Sequence, residues 1–391
     1  MVHFDMRVLQ LCLMIDQQQG GAACSTLGSF QALGAIGFET KVLAFGESRA
    51  SISKSSFLPD LDSKHRDRIA CITRKKQNRH GHVLRFHELK KLYSQFIDAD
   101  VVISHQIYGL HAIYTYFFSK ITKTPYIIMP HGSLTDYDQK HHRKRKKIAN
   151  KIFFSTYIFN AASIFVASEI ESFELNKLFS VPNIAVVGLG FPKPSSLKPM
   201  LHKMPSNDLK ILYMGRITQK KRLDLTIKAL AFLKLNNPNI SLTIAGDGDQ
   251  KLLQECKDLA VNLKLSDCIN FVGWLSSDSK WKAIDESDIF VLNSEDENFA
   301  VIVPEVQSRG VPVVVTKKVA FSDFIKKYNS GVVIDSLDVN SIVDGIESIL
   351  KLDFQDLSSN AIRCASESEW NKVISSWVSN INRVINKPYV S

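Results

Sequence analysis

Val291-Leu-Asn-Ser-Glu-Asp-Glu-Asn-Phe-Ala-Val-Ile-Val-Pro-Glu-Val-Gln-Ser-Arg-Gly-Val-Pro-Val-Val-Val315 decides the fold class of this chain. A short apolar run ends at Asn293, and a polar turn follows. Pro304 suits the first turn of a helix running to Arg309, because its fixed φ is helical and its missing N–H is not needed there. A second β-branched run then occupies 312–315. A strand, a helix and another strand in that order require parallel pairing, and parallel sheets are covered on both faces.

The same alternation extends in both directions. In the first half, apolar β-branched runs at 6–13, 39–44, 70–73, 99–104, 125–129, 163–167 and 184–187 read as strands. In the second half, strands are expected at 209–214, 241–245, 269–272, 288–292, 312–315 and 331–334, with helices such as 223–235 and 249–262 between them. Residues 191–208 hold Pro192, Pro194, Pro199 and Pro205, which favours an extended linker. The expectation is therefore an α/β protein of two doubly wound, Rossmann-like domains, 1–190 and 209–365, joined by 191–208. A terminal amphipathic helix is expected at 366–385, within a final segment 366–391. In such sheets ligands bind beyond the carboxyl ends of the strands, which puts the expected site in a cleft between the domains.

The 391 residues carry 49 Lys+Arg and 39 Asp+Glu, a net +10 that is unevenly placed. Residues 1–200 hold 26 basic and 15 acidic side chains, and residues 201–391 hold 23 and 24, so the first half supplies all of the positive charge. Ten of the eleven histidines lie there too. The six cysteines form no C-x-x-C pair, which argues against a zinc site or a disulfide framework and for a reducing compartment. His3, Asp5 and Arg7 interrupt the apolar start, as a signal peptide would not allow. No apolar run is long enough to span a bilayer. The expected location is cytoplasmic, with peripheral attachment to the inner face of the membrane as an option.

Several residues carry chemistry by their position. After the run 209–214 comes Gly215-Arg216-Ile-Thr-Gln-Lys-Lys221-Arg222. Two cations at a strand end suit a diphosphate, Arg216 as a bidentate donor and Lys221 as a point charge, with Lys220 adjacent. Glu297 and Glu305 lie eight residues apart across the turn quoted above, placed to accept hydrogen bonds from sugar and ribose hydroxyls. Gly246-x-Gly248 lacks the third glycine of a dinucleotide fingerprint and is not read as binding NAD. Asp247-Gly-Asp249 fits a metal-binding pair by letters but lies in that glycine turn, so no metal ligand is assigned. Gly20-Gly21 precedes a helix, where glycine permits close approach to an anion. Pro130-His131-Gly132-Ser133 follows the run 125–129, and His105 follows 99–104. Glu169 and Glu171 stand at a helix start, where acids complement the dipole. Lys140-His-His-Arg-Lys-Arg-Lys-Lys147 is either a solvated helix face or a patch attracted to anionic lipid. No recognition module accompanies it, so nucleic acid is not expected as a partner.

Taken together, these motifs resemble the retaining glycosyltransferases of the GT-B fold, family 4. That family has two glutamates separated by seven residues, E-x-F-G-x-x-x-x-E, matched here by Glu297, Phe299 and Glu305, with Ala300 where glycine is usual. It also has a strand followed by Gly-Arg and a lysine five residues on, matched by Gly215, Arg216 and Lys221, with Arg222 in place of a common glycine. Gly246, Gly273-Trp274, Gly20-Gly21 and Pro130-His131-Gly132 match further family segments.

The resemblance implies two domains facing across a cleft, an acceptor-binding first domain, a donor-binding second domain and a last helix crossing back to the first. It implies transfer of a hexose-type sugar, with retention and without a metal or other cofactor, from a UDP- or GDP-linked donor. The acceptor would be a glycan or lipid-linked saccharide of surface polysaccharide, lipopolysaccharide or capsule assembly. By the same resemblance, His131, Glu297, Arg216 and Lys221 are catalytic. Gly20, Gly21, Gly215, Gly246, Gly273, Trp274, Asn298, Phe299, Ala300, Val301 and Glu305 hold the donor, and His105 and Ser133 meet the acceptor. A nucleotide-sugar 2-epimerase on the same architecture is the alternative.

Overall fold

A computed structural model describes residues 6–13, 15, 20–45, 67–72, 83–140, 143–191, 193, 197–205, 208–275 and 277–386. The chain divides into two compact units, Met1–Pro192 with Trp370–Ser391, and Lys193–Glu369.

In unit 1, strands β1 (Arg7–Cys12), β2 (Glu39–Ala44), β3 (Ile69–Cys71), β4 (Val101–His105), β5 (Tyr126–Met129), β6 (Ser163–Val166) and β7 (Ile184–Val186) form one sheet in the order β3-β2-β1-β4-β5-β6-β7. Every pairing is parallel. The order reverses direction between β1 and β4, which is where such a sheet opens a crevice for ligands. The helices are α1 (Gly21–Ala35), α2 (Phe86–Asp98), α3 (Leu110–Thr122), α4 (Asp136–Lys140), α5 (Arg143–Ala149), α6 (Ser155–Phe159) and α7 (Glu169–Phe179). A π turn, Asn150–Phe154, joins α5 to α6. Strand β1 is buried along all but its first residue, as a central parallel strand must be, and that is why its sequence reads as an unbroken apolar run. Gly20 caps α1 at φ 55°, ψ −129°, a conformation open to glycine and not to residues with a Cβ.

Unit 2 repeats the plan. Strands β8 (Lys210–Met214), β9 (Ser241–Ala245), β10 (Ile269–Gly273), β11 (Ile289–Leu292), β12 (Val313–Thr316) and β13 (Gly331–Ile334) form a parallel sheet ordered β10-β9-β8-β11-β12-β13. Its reversal lies between β8 and β11. The helices are α8 (Leu223–Asn236), α9 (Gln250–Asn262), α10 (Ser277–Asp285), α11 (Ile302–Gln307), α12 (Ser322–Tyr328), α13 (Val339–Leu350) and α14 (Phe354–Ser366). Asp249, Asp338 and Asp353 cap α9, α13 and α14 with side-chain oxygens that accept first-turn N–H groups. Helix α11 runs Ile302–Gln307, not to Arg309, because Ser308 and Arg309 close a turn; the Arg309 guanidinium forks onto Asp285 at 2.6 and 2.9 Å.

The final helix, α15 (Trp370–Ile385), starts four residues later than the apolar spacing predicts, since Ser366 ends α14. It packs within unit 1. Trp377 is fully buried and donates to the Gly188 carbonyl at 3.2 Å. The Trp370 ring lies against two glycines, so that a Cβ on Gly28 of α1 would stand 2.2 Å from it and one on Gly190 would stand 2.3 Å away. Gly28→Ala is thus expected to destabilise unit 1 by about 1–3 kcal/mol through overpacking. In a Trp370→Ala background the same substitution should cost much less, because its obstacle is gone. Denaturant midpoints of the two singles and the double variant measure this.

Candidate functional site

Three strand-end turns of unit 2 are stitched backbone to backbone. The Gly215 N–H after β8 donates to the Ala245 carbonyl at 2.9 Å, and the Gly246 N–H after β9 donates to Gly273 at 2.7 Å. A Cβ on Gly246 would meet the Gly215 oxygen at 1.9 Å, and one on Gly248 would meet the Ile217 oxygen at 2.2 Å. These two glycines are therefore required by loop packing. Gly273 has φ +70° with open space around it, so its demand is conformational only. Trp274 beside it is exposed. Asp247 accepts from Gly248 N–H and the Gln250 amide, both at 2.7 Å, and Asp249 caps α9, so both carboxylates serve the loop.

Onto this platform the β8 and β11 loops bring a cation cluster and an acid together. Lys221, on the short 3₁₀ turn Gln219–Lys221, places Nζ 2.9 Å from Glu297 Oε1, and Lys220 Nζ lies 3.7 Å from the same oxygen. The Ser294 hydroxyl adds a hydrogen bond to it at 3.2 Å. Burial by itself would raise the Glu297 pKa, but the Lys221 and Lys220 charges and these hydrogen bonds override it and hold the carboxyl down at about 2. Lys221 is pulled below its ordinary value by burial, which the Glu297 charge only partly offsets, with Lys220 and Arg216 adding repulsion. Arg216 itself is exposed and has no ion pair among the described residues. Asn293 brackets the two loops, donating to the Arg222 carbonyl at 2.8 Å and accepting from Thr226 at 2.8 Å.

Glu305 on α11 is buried and sits 2.7 Å from Lys280 of α10, a partner that sequence reasoning did not find. Oε1 is the paired oxygen in both glutamates; Oε2 of each has no partner among the described residues and is not sealed from solvent. Phe299 points into the core, edge-on to Phe321 at 5.5 Å, so its side chain supports the loop. Ala300 and Val301 are buried as well, and the Asn298 Oδ1 is enclosed without a partner. The two departures from the family pattern share one feature: Ala300 has φ 57° and Arg222 has φ 43°. Both hold the left-handed conformation that glycine adopts freely and that costs other residues roughly 1–2 kcal/mol. Arg222 recovers part of that through a two-point contact with Asp224 at 3.0 and 3.1 Å.

In unit 1 the ends of β4 and β5 carry two histidines in contact. His105 Nδ1 lies 2.9 Å from His131 Nε2, and the rings stack at 5.2 Å. His105 Nε2 reaches the Gln10 side-chain amide of β1 at 2.8 Å, which in turn lies 3.0 Å from the Ser29 hydroxyl of α1. Burial lowers the pKa of His131 to about 4 and that of His105 well below its usual value, so both rings are neutral at physiological pH. His131 has φ 53°, a strained conformation secured by Glu171, whose carboxylate accepts from Gly132 N–H at 2.7 Å and Ala167 N–H at 2.8 Å. Glu169 stays in the first turn of α7 as a dipole-facing acid. The Ser133 hydroxyl donates to the Pro130 carbonyl at 2.7 Å, within its own turn. Gln10 is the residue the sequence did not point to, and Glu171, read there only as an acid at a helix start, has its contact to Gly132 39 positions away; the Gln10–His105 contact spans 95.

The Lys221–Glu297 contact yields a stability test. Because the folded pKa of Glu297 is depressed, its contribution is present above the unfolded value near 4.3 and is lost as pH falls toward about 2. Glu297→Gln should accordingly flatten the fall in stability between those limits, read as denaturant midpoint against pH. Lys221→Met should cost about 3–5 kcal/mol by stranding a buried carboxylate, and Lys221→Met with Glu297→Gln should recover most of it.

Residues 201–367 match the family described as Glycosyl transferases group 1. The chain is 27% identical over 146 residues to the lipopolysaccharide core biosynthesis glycosyltransferase LpsE of Rhizobium meliloti, covering 37% of this chain and 41% of that protein. It is 29% identical over 155 residues to the amylovoran biosynthesis glycosyltransferase AmsK of Erwinia amylovora, covering 38% and 37%. The aligned region thus spans less than half the length of these curated relatives. Among solved structures, Anabaena HepE in complex with UDP and glucose superposes with a TM-score of 0.72 at 16% identity, covering 97% of this chain and all of that one. The lipopolysaccharide outer core galactosyltransferase WaaB superposes with a TM-score of 0.65 at 17% identity, covering 97% and 99%. Residues 201–367 therefore carry a glycosyl transferases group 1 region, in a chain whose two parallel-sheet, Rossmann-like units have the fold of the GT-B glycosyltransferases.

Proposed function

We propose that the protein is a retaining glycosyltransferase of the family-4 kind, moving a hexose-type sugar from a UDP- or GDP-linked donor to a glycan or lipid-linked saccharide. The observation that carries this reading is the β8 end of unit 2, where Arg216 stands exposed and without an ion pair among the described residues, beside Lys220 and Lys221. Clustered cations with one free guanidinium suit a diphosphate, and they stabilise the charge that grows as it departs. In this scheme the bond from the anomeric carbon to the phosphate oxygen breaks and the nucleoside diphosphate keeps the electron pair. The acceptor hydroxyl oxygen bonds to the same face of that carbon, and its proton passes to the departing phosphate oxygen. The chemistry draws on no metal or other cofactor. The free Oε2 atoms of Glu297 and Glu305 suit sugar and ribose hydroxyls, and His131 positions the sugar. The relatives' printed roles favour surface polysaccharide or lipopolysaccharide assembly. No relative reported above is an epimerase.

In a thermal-shift panel, UDP- or GDP-sugars should raise the melting temperature of the wild-type protein. Arg216→Ala should remove that shift while leaving the unliganded melting temperature within about 1 °C, since the side chain is exposed and unpaired. Donor turnover unchanged by Arg216→Ala and by Glu305→Ala would count decisively against this site.

The acceptor side has its own observation. Arg143, Lys144, Arg145, Lys147 and Lys151 are exposed and form no ion pair among the described residues. Ile148 and Ile152 lie in the same segment, 60% and 76% exposed. Phe117 and Ile121 of α3 are exposed nearby, the Phe117 ring stacking on Phe153 at 6.4 Å. Cations around an apolar strip suit an anionic lipid surface, where each cation contributes about 1 kcal/mol. The protein should co-sediment with vesicles containing phosphatidylglycerol at low salt and not with purely zwitterionic ones. Lys144→Glu with Lys147→Glu should reduce that binding at least tenfold. Equal binding to both vesicle types would refute it.

A further inference from the structure

The Gln10–His105–His131 chain has a direction that the heavy-atom distances leave open, because rotating a glutamine amide by 180° exchanges its oxygen and nitrogen. With the amide oxygen toward His105 and Ser29, that oxygen accepts from both, and the whole Gln10 NH₂ group is left buried with no partner. The Ser29 proton is then also withheld from the Thr26 carbonyl, which lies at an equal 3.0 Å. With the amide nitrogen in that place, its two protons go to Ser29 Oγ and His105 Nε2, and Ser29 donates to Thr26. Only one carbonyl oxygen then lacks a partner. The second arrangement makes three hydrogen bonds where the first makes two, and it strands an acceptor instead of two donors, which is the milder loss.

We infer that Gln10 donates into His105 and thereby fixes the tautomers of both histidines, so that His131 presents an Nδ1–H. The steps follow from neutral imidazole having one donor and one acceptor nitrogen. His105 accepts at Nε2, so its proton is on Nδ1 and is donated to His131 Nε2 across 2.9 Å. His131 accepts at Nε2, so its own proton is on Nδ1. That atom has no partner among the described residues and is open to solvent. The buried environment that disfavours a second proton on either ring keeps the relay in this single state at neutral pH. Gln10 and His105 are thus positioning residues that make the tip of His131 a hydrogen-bond donor. It is suited to an oxygen lone pair of a bound sugar, where the opposite tautomer would be suited to an O–H. The part of this that concerns sugar rests on the transferase reading, whereas the proton arrangement does not.

His111 supplies an internal reference, because its Nε2 lies 2.9 Å from the His105 carbonyl and must carry the proton whatever Gln10 does. The test uses the full chain labelled with ¹⁵N-histidine, without ligand, and reads ring protonation from two-bond ¹H–¹⁵N correlations at pH 7, with assignments from single His→Gln variants. His105 and His131 are expected as Nδ1–H tautomers and His111 as Nε2–H. Gln10→Glu, nearly isosteric, replaces the donor with a carboxylate that accepts from His105 Nε2, and it should reverse both His105 and His131 while leaving His111 unchanged. A wild-type spectrum with the proton on Nε2 of His105 or of His131 overturns the inference, as does a folded Gln10→Glu variant that leaves both rings unreversed. If that variant does not fold, the wild-type spectrum alone decides. No donor or acceptor is needed, so failure here leaves the transferase reading untouched, and failure of that reading leaves the tautomers where they are.

Discussion

A carboxylate is held ionised inside a protein only where cations or hydrogen-bond donors surround it, and the arrangement of unit 2 depends on the cations around Glu297. Lys221 at 2.9 Å and Lys220 at 3.7 Å bring the loop after β8 against the loop after β11. A buried ion pair of this kind adds little net stability, because desolvation consumes most of the Coulombic gain. Its value lies in discrimination: any shift of either loop strands a charge, so alternatives are penalised heavily. Asn293, which ties the loop after β11 to the Arg222 carbonyl and to Thr226 of α8, applies the same penalty with neutral groups.

Of the eight non-glycine residues with positive φ among the described residues, four follow helices and four stand in loops that follow strands. Gln106, His131, Arg222 and Ala300 all have positive φ without being glycine. At each of the last three, neighbouring contacts compensate: Glu171 grips the turn at His131, Asp224 forks onto Arg222, and the Ala300 carbonyl accepts from Val303 N–H at 2.8 Å while Phe299 anchors in the core. At 222 and 300 the left-handed turn geometry is therefore held by residues with a Cβ, and its cost is met by these contacts.

The sheet plan was legible because buried parallel strands read as unbroken apolar runs, and each of the thirteen expected strands is found within a few residues of its predicted bounds. Helix ends were harder, as Ser366–Ile385 and the end of α11 show, because turn closure by Ser308 and Arg309 or by Ser366 leaves no periodic signal. The sequence offered candidate residues one by one but not the partners the structure gives them. Glu305 and Lys280 are 25 positions apart, Gly132 and Glu171 are 39, and Gln10 and His105 are 95. Such partnerships follow from strand order, which a periodicity cannot supply. Phe299 is a motif residue whose side chain packs in the core under the loop.

The charge asymmetry of the sequence takes on a different meaning once side chains are placed. Unit 1 carries the excess of positive charge, yet the hydrogen-bonded chain at the ends of β4 and β5 is neutral: two imidazoles depressed by burial, an amide and a hydroxyl. Its cations stand instead on exposed faces of α5 and the π turn. Unit 2 is nearly neutral overall but concentrates Arg216, Lys220 and Lys221 at one strand end. Net charge therefore does not locate the electrostatic work of this molecule, since charge buried near a compensating carboxylate acts over short range at high strength, and charge on an exposed helix acts over a Debye length at low strength. The first kind suits a compact dianionic group held in one orientation. The second suits a diffuse anionic surface with no orientation to hold, and neutral hydrogen-bonding groups at the strand ends of unit 1 suit a ligand recognised by its hydroxyls.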